Sequence, residues 1–324
     1  MPATSEPAGP DLPSVVPAVV IVNHNTVDLL ARCLDSVIAD GATEVVVVDH
    51  ASTDGSVAMV RERFPEVTLL AHEDNPGYGA GVDRGIAATT EAWSLVLNSD
   101  TEIASGCLEA FSIHARTHED ARVLGPRITG PDGSLQRSCY PEPTVAQLFV
   151  QDLGLLRAVA AVPVLARRHP HTAAHDTVRD VDWLLGAALC IRRVAWEAVG
   201  GFDEEYGMYF EEVDFCRRIR DAGGRVQLVP SAQVVHVGGA STKAYRDALA
   251  RRYFSSRARY HRLHLGRRSF ALLRAETAFV AAAEWTRERF RLARGTGDRG
   301  RAATFATVAR DALGGWRSVP PWDR

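Results

Sequence analysis

The chain has 324 residues, 46% hydrophobic and 24% charged, the balance of a soluble globular protein able to bury a sizeable core in one large domain or one domain with an appendage. Its five cysteines are scattered and form no Cys-x-x-Cys pair, which argues against a disulfide framework or a zinc site and points to a reducing compartment. The formal net charge of −3 hides an asymmetry: residues 241–324 carry 19 Lys or Arg against 7 Asp or Glu, a surplus of 12 positive charges that leaves −15 on the first 240.

Residues 1–17 are rich in Pro, Ser and Ala without a basic start, so they read as a disordered tail and not as a signal peptide. No apolar run is long and charge-free enough to span a bilayer. Val15 to Val22 is a β-branched strand that stops at Asn23-His24-Asn25. Leu29, Leu30, Cys33, Leu34, Val37 and Ile38 then recur at helical spacing, with Thr26 or Asn25 as the cap. A second buried strand ends in Asp49-His50 and leads to a helix reaching Phe64; two strand-helix units imply a parallel sheet. A third short strand, Val67 to Leu70, precedes Asn75-Pro-Gly77-Tyr78-Gly79-Ala-Gly81. Glycines there would let the backbone approach a ligand at the entrance to a helix whose first amides favour phosphate. A nicotinamide-binding unit would carry its glycines directly after the first strand, where Asn23-His24-Asn25 stands, which argues against a dehydrogenase.

Trp93 to Asn98 is an apolar run that stops abruptly in Asn98-Ser99-Asp100. Open α/β sheets bind ligands outside the carboxyl ends of their strands, so Asp100 stands where a phosphate-bound metal is expected; the same residues also suit an ordinary turn. Cys107 to His118 reads as a helix, Arg122 to Ile128 as a strand followed by a Pro-Asp-Gly turn, and Val145 to Leu165 as an apolar helical stretch. His169, His171 and His175 read as a solvated link, since no cysteine or carboxylate stands at ligand spacing. Asp182 to Arg193, containing Trp183 and a small-residue turn at Gly186, enters a strand and then the helix Val194 to Val199.

Glu211, Glu212 and Asp214 open a helix that closes with Arg217, Arg218 and Arg220, with Phe215, Ile219 and Ala222 as the buried stripe and Gly223 as the C-cap. Dipole complementation accounts for some of the acid, but three carboxylates within four residues suit a general base whose pKa is raised by like-charged neighbours. Arg225 to Pro230 and Gln233 to Val237 read as two short strands, with His236 before Gly238-Gly239.

From Val19 to Thr242 the chain resembles the inverting nucleotide-sugar glycosyltransferases of family 2, and within them bacterial rhamnosyltransferases, including those that extend polyprenyl-diphosphate-linked N-acetylglucosamine. The matching stretches are Val-Val-Asp49-x-Ala-Ser-Thr-Asp-Gly-Ser, Asn75-x-Gly-Tyr-Gly-Ala-Gly, Asn98-x-Asp100, Gly200-Gly-Phe-Asp203, Met-Tyr-Phe-Glu-Glu212-Val-Asp and His236-x-Gly-Gly-Ala. The resemblance implies a GT-A fold, an α/β domain over 18–244 with a mostly parallel central sheet flanked by helices, its nucleotide-binding half at 18–130 and its acceptor-binding half at 131–244. It implies that Asp49 and His50 meet the nucleoside, with Asn23, His24, Asn75, Gly77, Tyr78, Gly79, Asn98, Ser99 and Trp183 completing the donor site. By the same resemblance Asp100 and His236 hold a divalent cation, Mg2+ or, given the imidazole, Mn2+. Glu212 is the implied base, with Glu211 and Asp214 as the neighbouring acids. This chain departs from the pattern at three places: Asn98 replaces the first acid of an Asp-x-Asp pair, Glu211-Glu212 replaces Glu-Asp, and His50 replaces a common Asn or Asp.

Residues 245–324 read as a basic helical extension in which arginines alternate with Tyr253, Phe254 and Tyr260 before an apolar stretch from Phe270 to Trp285. Such helices suit an anionic bilayer or a lipid diphosphate; the alternative is a solvated arginine face over a core-packing stripe. Nucleic acid is disfavoured by the acidic body and the lack of a recognition motif. The expectation is a cytoplasmic, metal-dependent inverting transferase, peripheral at the inner face of the plasma membrane. It would move rhamnose or another deoxysugar from a dTDP donor to an acceptor hydroxyl on a lipid-linked glycan. The alternatives are a UDP-sugar transferase acting on a soluble saccharide or natural product, and a sugar-nucleotide-binding protein without turnover; a homodimer is also kept open.

Overall fold

The computed structural model of the protein describes residues 16–154, 175–238 and 246–316. Nearly all of the expected N-terminal tail, the expected helix beyond residue 154, and His169 and His171 lie outside the described residues. The first half alternates strand and helix: β1 (Ala18–Asn23), α1 (Val27–Ala39), β2 (Val45–His50), α2 (Ser56–Arg63), β3 (Thr68–His72), α3 (Tyr78–Ala87) and β4 (Trp93–Asn98). Successive side chains of a strand point to opposite faces, and both faces here are covered. Val19, Ile21, Val45, Val47, Leu95 and Leu97 therefore join the core with Leu30, Leu34 and Phe64, whereas Val20, Val46, Val48 and Val96 meet Val82 and Ile86 of α3. A strand buried on both sides has no polar face, which is why these stretches read as unbroken apolar runs. They turn polar together, because Asn23 pairs in register with Asp49, and Val22 with Asn98.

The second half comprises β5 (Thr101–Ile103), α4 (Cys107–Thr117), β6 (Ala121–Thr129), β7 (Leu135–Gln136), β8 (Cys139–Tyr140), α5 (Val145–Asp152), β9 (Arg179–Asp180), β10 (Trp183–Leu184), β11 (Ala188–Arg192), α6 (Arg193–Val199), α7 (Glu211–Asp221) and β12 (Arg225–His236). The main sheet runs β3-β2-β1-β4-β11-β6-β12-β5. Strand β11 lies antiparallel between β4 and β6, so the sheet is mixed, though mostly parallel. The two short strands expected near residues 225–237 are one: β12 runs through with a register shift between Val229 and Gln233. Pro230 falls inside that shift, where its missing N–H interrupts the ladder locally without ending it. As a result β12 carries His236 to a position opposite Thr101, beside Asp100.

The C-terminal chain folds into α8 (Arg246–His264), α9 (Gly266–Ala293) and α10 (Arg299–Gly314). Their third core joins Phe254, Tyr260, Leu273 and Phe305 to Leu148, Tyr206, Phe210 and Val213. The arginine-rich α8 is neither wholly a solvated face nor wholly free for a partner. Arg257 is fully buried and donates to Asp152 (2.6 Å), Glu276 (2.7 Å) and Thr277 (2.7 Å), and Arg259 pairs with Asp203 at 2.6 Å. A buried guanidinium is tolerated because both of its terminal nitrogens meet a carboxylate in place of water.

Two local expectations are corrected. His175 is buried, not solvated, with Nε2 3.3 Å from the Ser138 amide and 3.4 Å from Cys139 Sγ. The hydroxyl of Thr26 does not cap α1; it donates to Asn23 Oδ1 (2.7 Å), and Asp54 accepts from the Val27 amide instead (2.8 Å).

Candidate active site

The polar strand ends form one connected network. Asn23 donates through Nδ2 to Asp49 Oδ2 (2.7 Å) and to Ser52 Oγ (3.2 Å), while Asp49 Oδ1 accepts the Ser52 amide at 3.0 Å. Because the Thr26 hydroxyl donates to Asn23, the Ser99 hydroxyl must donate to Thr26 across their 2.7 Å contact. The chain Asp49, Asn23, Thr26, Ser99 thus runs along the carboxyl ends of β2, β1 and β4 and ends next to Asp100. With every member satisfied, such a buried network is stiff. Asn98 adds its backbone, the amide donating to Ala187 (3.0 Å) and the carbonyl accepting from Thr101 Oγ1 (2.7 Å).

Asp100 and His236 meet at the mouth of this edge. His236 Nε2 lies 3.2 Å from Asp100 Oδ1, both side chains nearly buried. The other ring nitrogen, Nδ1, is 3.0 Å from Gln136 Oε1. A Gln136 carbonyl there fixes Nδ1 as the donor and leaves the Nε2 lone pair aimed at a carboxylate, an arrangement that a cation between them satisfies. The two residues therefore fit a divalent ion, although no group of three or more His, Cys, Asp or Glu side chains converges among the described residues.

The acids at the start of α7 also lie within electrostatic reach of Tyr78. Tyr209 (φ 65°) and Phe210 (φ 67°) both adopt the left-handed region immediately before Glu211, a strain of about 1–3 kcal/mol per residue of the kind stored at functional sites. Glu211 is buried, and Oε2 of Glu211 and of Glu212 lack a hydrogen-bond partner. Burial raises both carboxyls above their usual range; the neighbouring Glu212 charge adds to the effect on Glu211, and backbone hydrogen bonds oppose it at Glu212. Two carboxylates that cannot both ionise cheaply are suited to hold and release a proton. The Tyr78 hydroxyl donates to the Gly186 carbonyl, and burial, then the charges of Glu211, Glu212 and Asp100, raise it well above the ordinary phenol range. Tyr78 is thus within electrostatic reach of both Asp100 and the acid pair. Asp214, the third expected acid, does not join them: Arg218 (2.7 Å), His264 (2.6 Å) and Tyr206 (3.3 Å) occupy it, and burial, which would raise its pKa, is outweighed by His264 and Arg218, which hold it down.

The glycines of the Asn75–Gly81 loop serve packing more than ligand approach. A side chain at Gly77 would collide with the Gly207 carbonyl, one at Gly79 would press on Phe202 Cβ at 3.0 Å, and one at Gly81 would lie 2.7 Å from His50 Cε1. Gly77 also has φ 107°, and its amide is received by Asn75 Oδ1 at 3.2 Å. His50 is turned beneath α3, 2% exposed, and burial together with Arg84 pushes its pKa down to about 4. His24 Nδ1 contacts the His50 carbonyl at 2.6 Å. Trp183 donates to the Pro141 carbonyl (2.8 Å) and stacks on Tyr140 at 4.2 Å. Gly200-Gly-Phe-Asp203 docks on α3, where Asp83 accepts the Phe202 amide (2.9 Å) and Phe202 stacks on Phe215 (4.3 Å). Gln136 and Tyr209 were not singled out from the sequence. Gln136 sits in a two-residue strand with no motif around it, and the left-handed backbone of Tyr209 leaves no trace in residue type.

Comparison with known proteins gives the family and the fold. The pattern described as "Glycosyl transferase family 2" matches residues 18–147, and "Glycosyl transferase family group 2" matches residues 93–283. An N-acetylglucosaminyl-diphospho-decaprenol L-rhamnosyltransferase of Mycobacterium tuberculosis is 35% identical over 243 residues, covering 69% of this chain and 76% of the relative. Two solved structures share the fold. GalNAc-T7 with UDP, GalNAc and Mn2+ has a TM-score of 0.53 at 16% identity, over 94% of this chain and 58% of that one. The mannosyltransferase PcManGT of Pyrobaculum calidifontis, with GDP-Man and Mn2+, has a TM-score of 0.52 at 17% identity, over 94% and 77%. The chain belongs to glycosyl transferase family 2: it is a glycosyltransferase of GT-A fold, similar to the rhamnosyltransferases of that family.

Proposed function

We propose that the protein moves rhamnose or a related deoxysugar from a dTDP-linked donor, with inversion at the anomeric carbon, to a hydroxyl of a lipid-linked amino sugar. The observation that carries the reading is that the close pair Asp100 and His236 and the two adjacent carboxyls Glu211 and Glu212 are gathered around one side chain, with Asp100, Glu211 and Glu212 all within electrostatic reach of Tyr78. Single displacement needs those two things: a base at the acceptor hydroxyl, and stabilisation of the charge that develops on the departing diphosphate. Glu212 takes the acceptor proton, and Glu211 holds the local negative charge to one unit by staying protonated. Asp100 and His236 would hold a divalent ion, which when bound supplies Lewis acidity to the diphosphate. Two protein ligands leave the rest of the shell to donor and water, so the ion binds weakly without the donor. The choice of sugar and acceptor is supported by the name of the mycobacterial relative.

Attachment to an anionic bilayer surface is supported by α9. Leu272, Phe279 and Phe290 are 63%, 58% and 57% exposed and fall on one helical face, with exposed Arg268, Arg287 and Arg294 beside it. Among the described residues no helix is long and apolar enough to cross a membrane.

Donor binding and turnover in three proteins test the division of roles. Asp100→Ala is expected to lose metal-dependent binding of the donor. Glu212→Gln should keep donor binding and lose transfer by roughly 10²–10⁴-fold, the usual range for a general base. Equal loss of binding in both variants would refute the assignment. Preference for a UDP-sugar with a soluble acceptor would replace donor and acceptor alike, and binding without any turnover would leave a sugar-nucleotide-binding protein.

A further inference from the structure

A cavity of about 430 Å³ opens between α5, the turn at Tyr209 and α8, lined by Gln151, Asp152, Tyr209, Leu249, Tyr253 and Phe254. That volume lies within the range of small-molecule sites, about 300–1,000 Å³. We propose that this cavity is an acceptor subsite that seats a neutral sugar ring beside the base. The inference rests on the reading of the protein as a transferase with a saccharide acceptor, and goes beyond it in assigning the residues that select the acceptor.

Three observations favour a sugar ring. Tyr209, Tyr253 and Phe254 form an angled aromatic wall, with Tyr209 to Tyr253 at 5.8 Å and 84° and Tyr253 to Phe254 at 5.5 Å and 74°. Such faces pack against the C–H side of a pyranose, while Gln151 and Asp152 supply the polar partners that hydroxyl groups require. A phosphate is disfavoured by charge. The nearby guanidinium of Arg257 lies over the Tyr253 and Phe254 rings, at 5.6 and 4.8 Å, and is already engaged by Asp152 and Glu276. The carboxylates of Asp152 and Glu212 would repel an anion.

Tyr209 connects the cavity to the chemistry. It stands two residues before Glu211, and the left-handed pair Tyr209 and Phe210 fixes how the chain passes from the cavity wall into α7. Its hydroxyl is raised in pKa by burial and then by the charges of Glu211 and Glu212, so it lies within electrostatic reach of both. A ring held against Tyr209 therefore sits on the chain segment that leads directly into Glu211 and Glu212. Because Leu249, Tyr253 and Phe254 all come from α8, the C-terminal helices complete the acceptor side of the enzyme.

Ligand-observed NMR tests this on the full chain with Mn2+ and either dTDP or UDP, whichever gives the larger thermal shift. The probes are the methyl β-glycosides of N-acetylglucosamine, galactose and rhamnose, with farnesyl phosphate as the lipid probe. At least one glycoside should bind, and both Leu249→Trp, which fills the cavity, and Tyr253→Ala, which removes part of its wall, should weaken it tenfold or more. Retention of the nucleotide-induced thermal shift by Leu249→Trp shows that the variant is folded. Glycoside binding that is absent, or unchanged in both variants, overturns the subsite while leaving the transferase reading intact; so does farnesyl phosphate displaced by Leu249→Trp with glycosides unaffected. Failure of the wild type to bind either nucleotide would overturn the transferase reading first.

Discussion

Glu211 and Glu212 set the pH behaviour of the site. A carboxyl whose folded pKa is raised binds its proton more tightly in the native than in the unfolded protein. Stability is therefore greatest below the unfolded value of about 4.3 and falls as pH rises through the raised folded values. The window follows from the upward direction at both residues. Glu211→Gln removes that penalty, so its Tm should exceed that of the wild type at pH 8, with the difference vanishing near pH 4; a difference independent of pH would show that Glu211 is not raised. Because Glu211 is held protonated, the same substitution leaves the charge beside Glu212 unchanged, and the acid limb of the pH–rate profile should stay in place. At Asp100 and His236 the residue types were legible in the sequence as candidates. Their 3.2 Å approach was not, since it depends on β12 pairing with β5 across more than 130 residues of chain.

At the scale of the element, α3 shows why a glycine-rich stretch is ambiguous. Its glycines lie against Val20, His50, Phe202 and Gly207, so they let a helix and a loop approach the sheet closely. Gly85→Ala sets two effects against each other. Alanine gains about 1 kcal/mol in helix propensity, but the new methyl would overlap Val20 Cγ1 in a strand held on both sides, and overpacking typically costs about 1–3 kcal/mol. The branched, fully buried Val20 has nowhere to move, so the clash wins and Tm falls by several degrees. The double variant Val20→Ala with Gly85→Ala should recover part of the loss; no recovery would mean the methyl clashes elsewhere. The amphipathic spacing of α1 was readable directly, because Leu30, Cys33, Leu34 and Val37 are the residues it buries. For α7 the stripe held at Phe215 and Ile219 but not at Ala222, which is exposed past the last turn.

For the whole molecule, the C-terminal helices are part of the structure that supports the site. Arg257 is held by two carboxylates in the third core. Arg257→Met should destabilise the protein by about 3–5 kcal/mol, because it leaves those acids buried and unpaired; chemical denaturation measures this, and a loss under 1 kcal/mol would show that the network is solvated. Removing the extension wholesale would confound any test of membrane attachment, since Tyr206 and Phe210 pack against it. A surface change is cleaner. Leu272→Glu together with Phe290→Glu should abolish flotation with anionic liposomes at unchanged Tm, and wild-type flotation should weaken with salt. Unchanged flotation would refute α9 as the attachment face.

Local chemistry determined a good deal by itself. Apolar runs ending in Asn23, Asp49 and Asn98-Ser99-Asp100 already implied buried parallel strands with polar ends, because a strand covered on both faces must be apolar until it leaves the sheet. The order of those motifs was enough to point to the family. Only the tertiary structure decided which acids remain available, since Asp214 is engaged by His264 from fifty residues away while Glu211 and Glu212 keep oxygens without partners. It also decided that α8 contributes a buried arginine and an aromatic wall in place of a uniformly solvated basic face. Composition records charge, but whether that charge meets water, a carboxylate or a ring depends on contacts between distant parts of the chain.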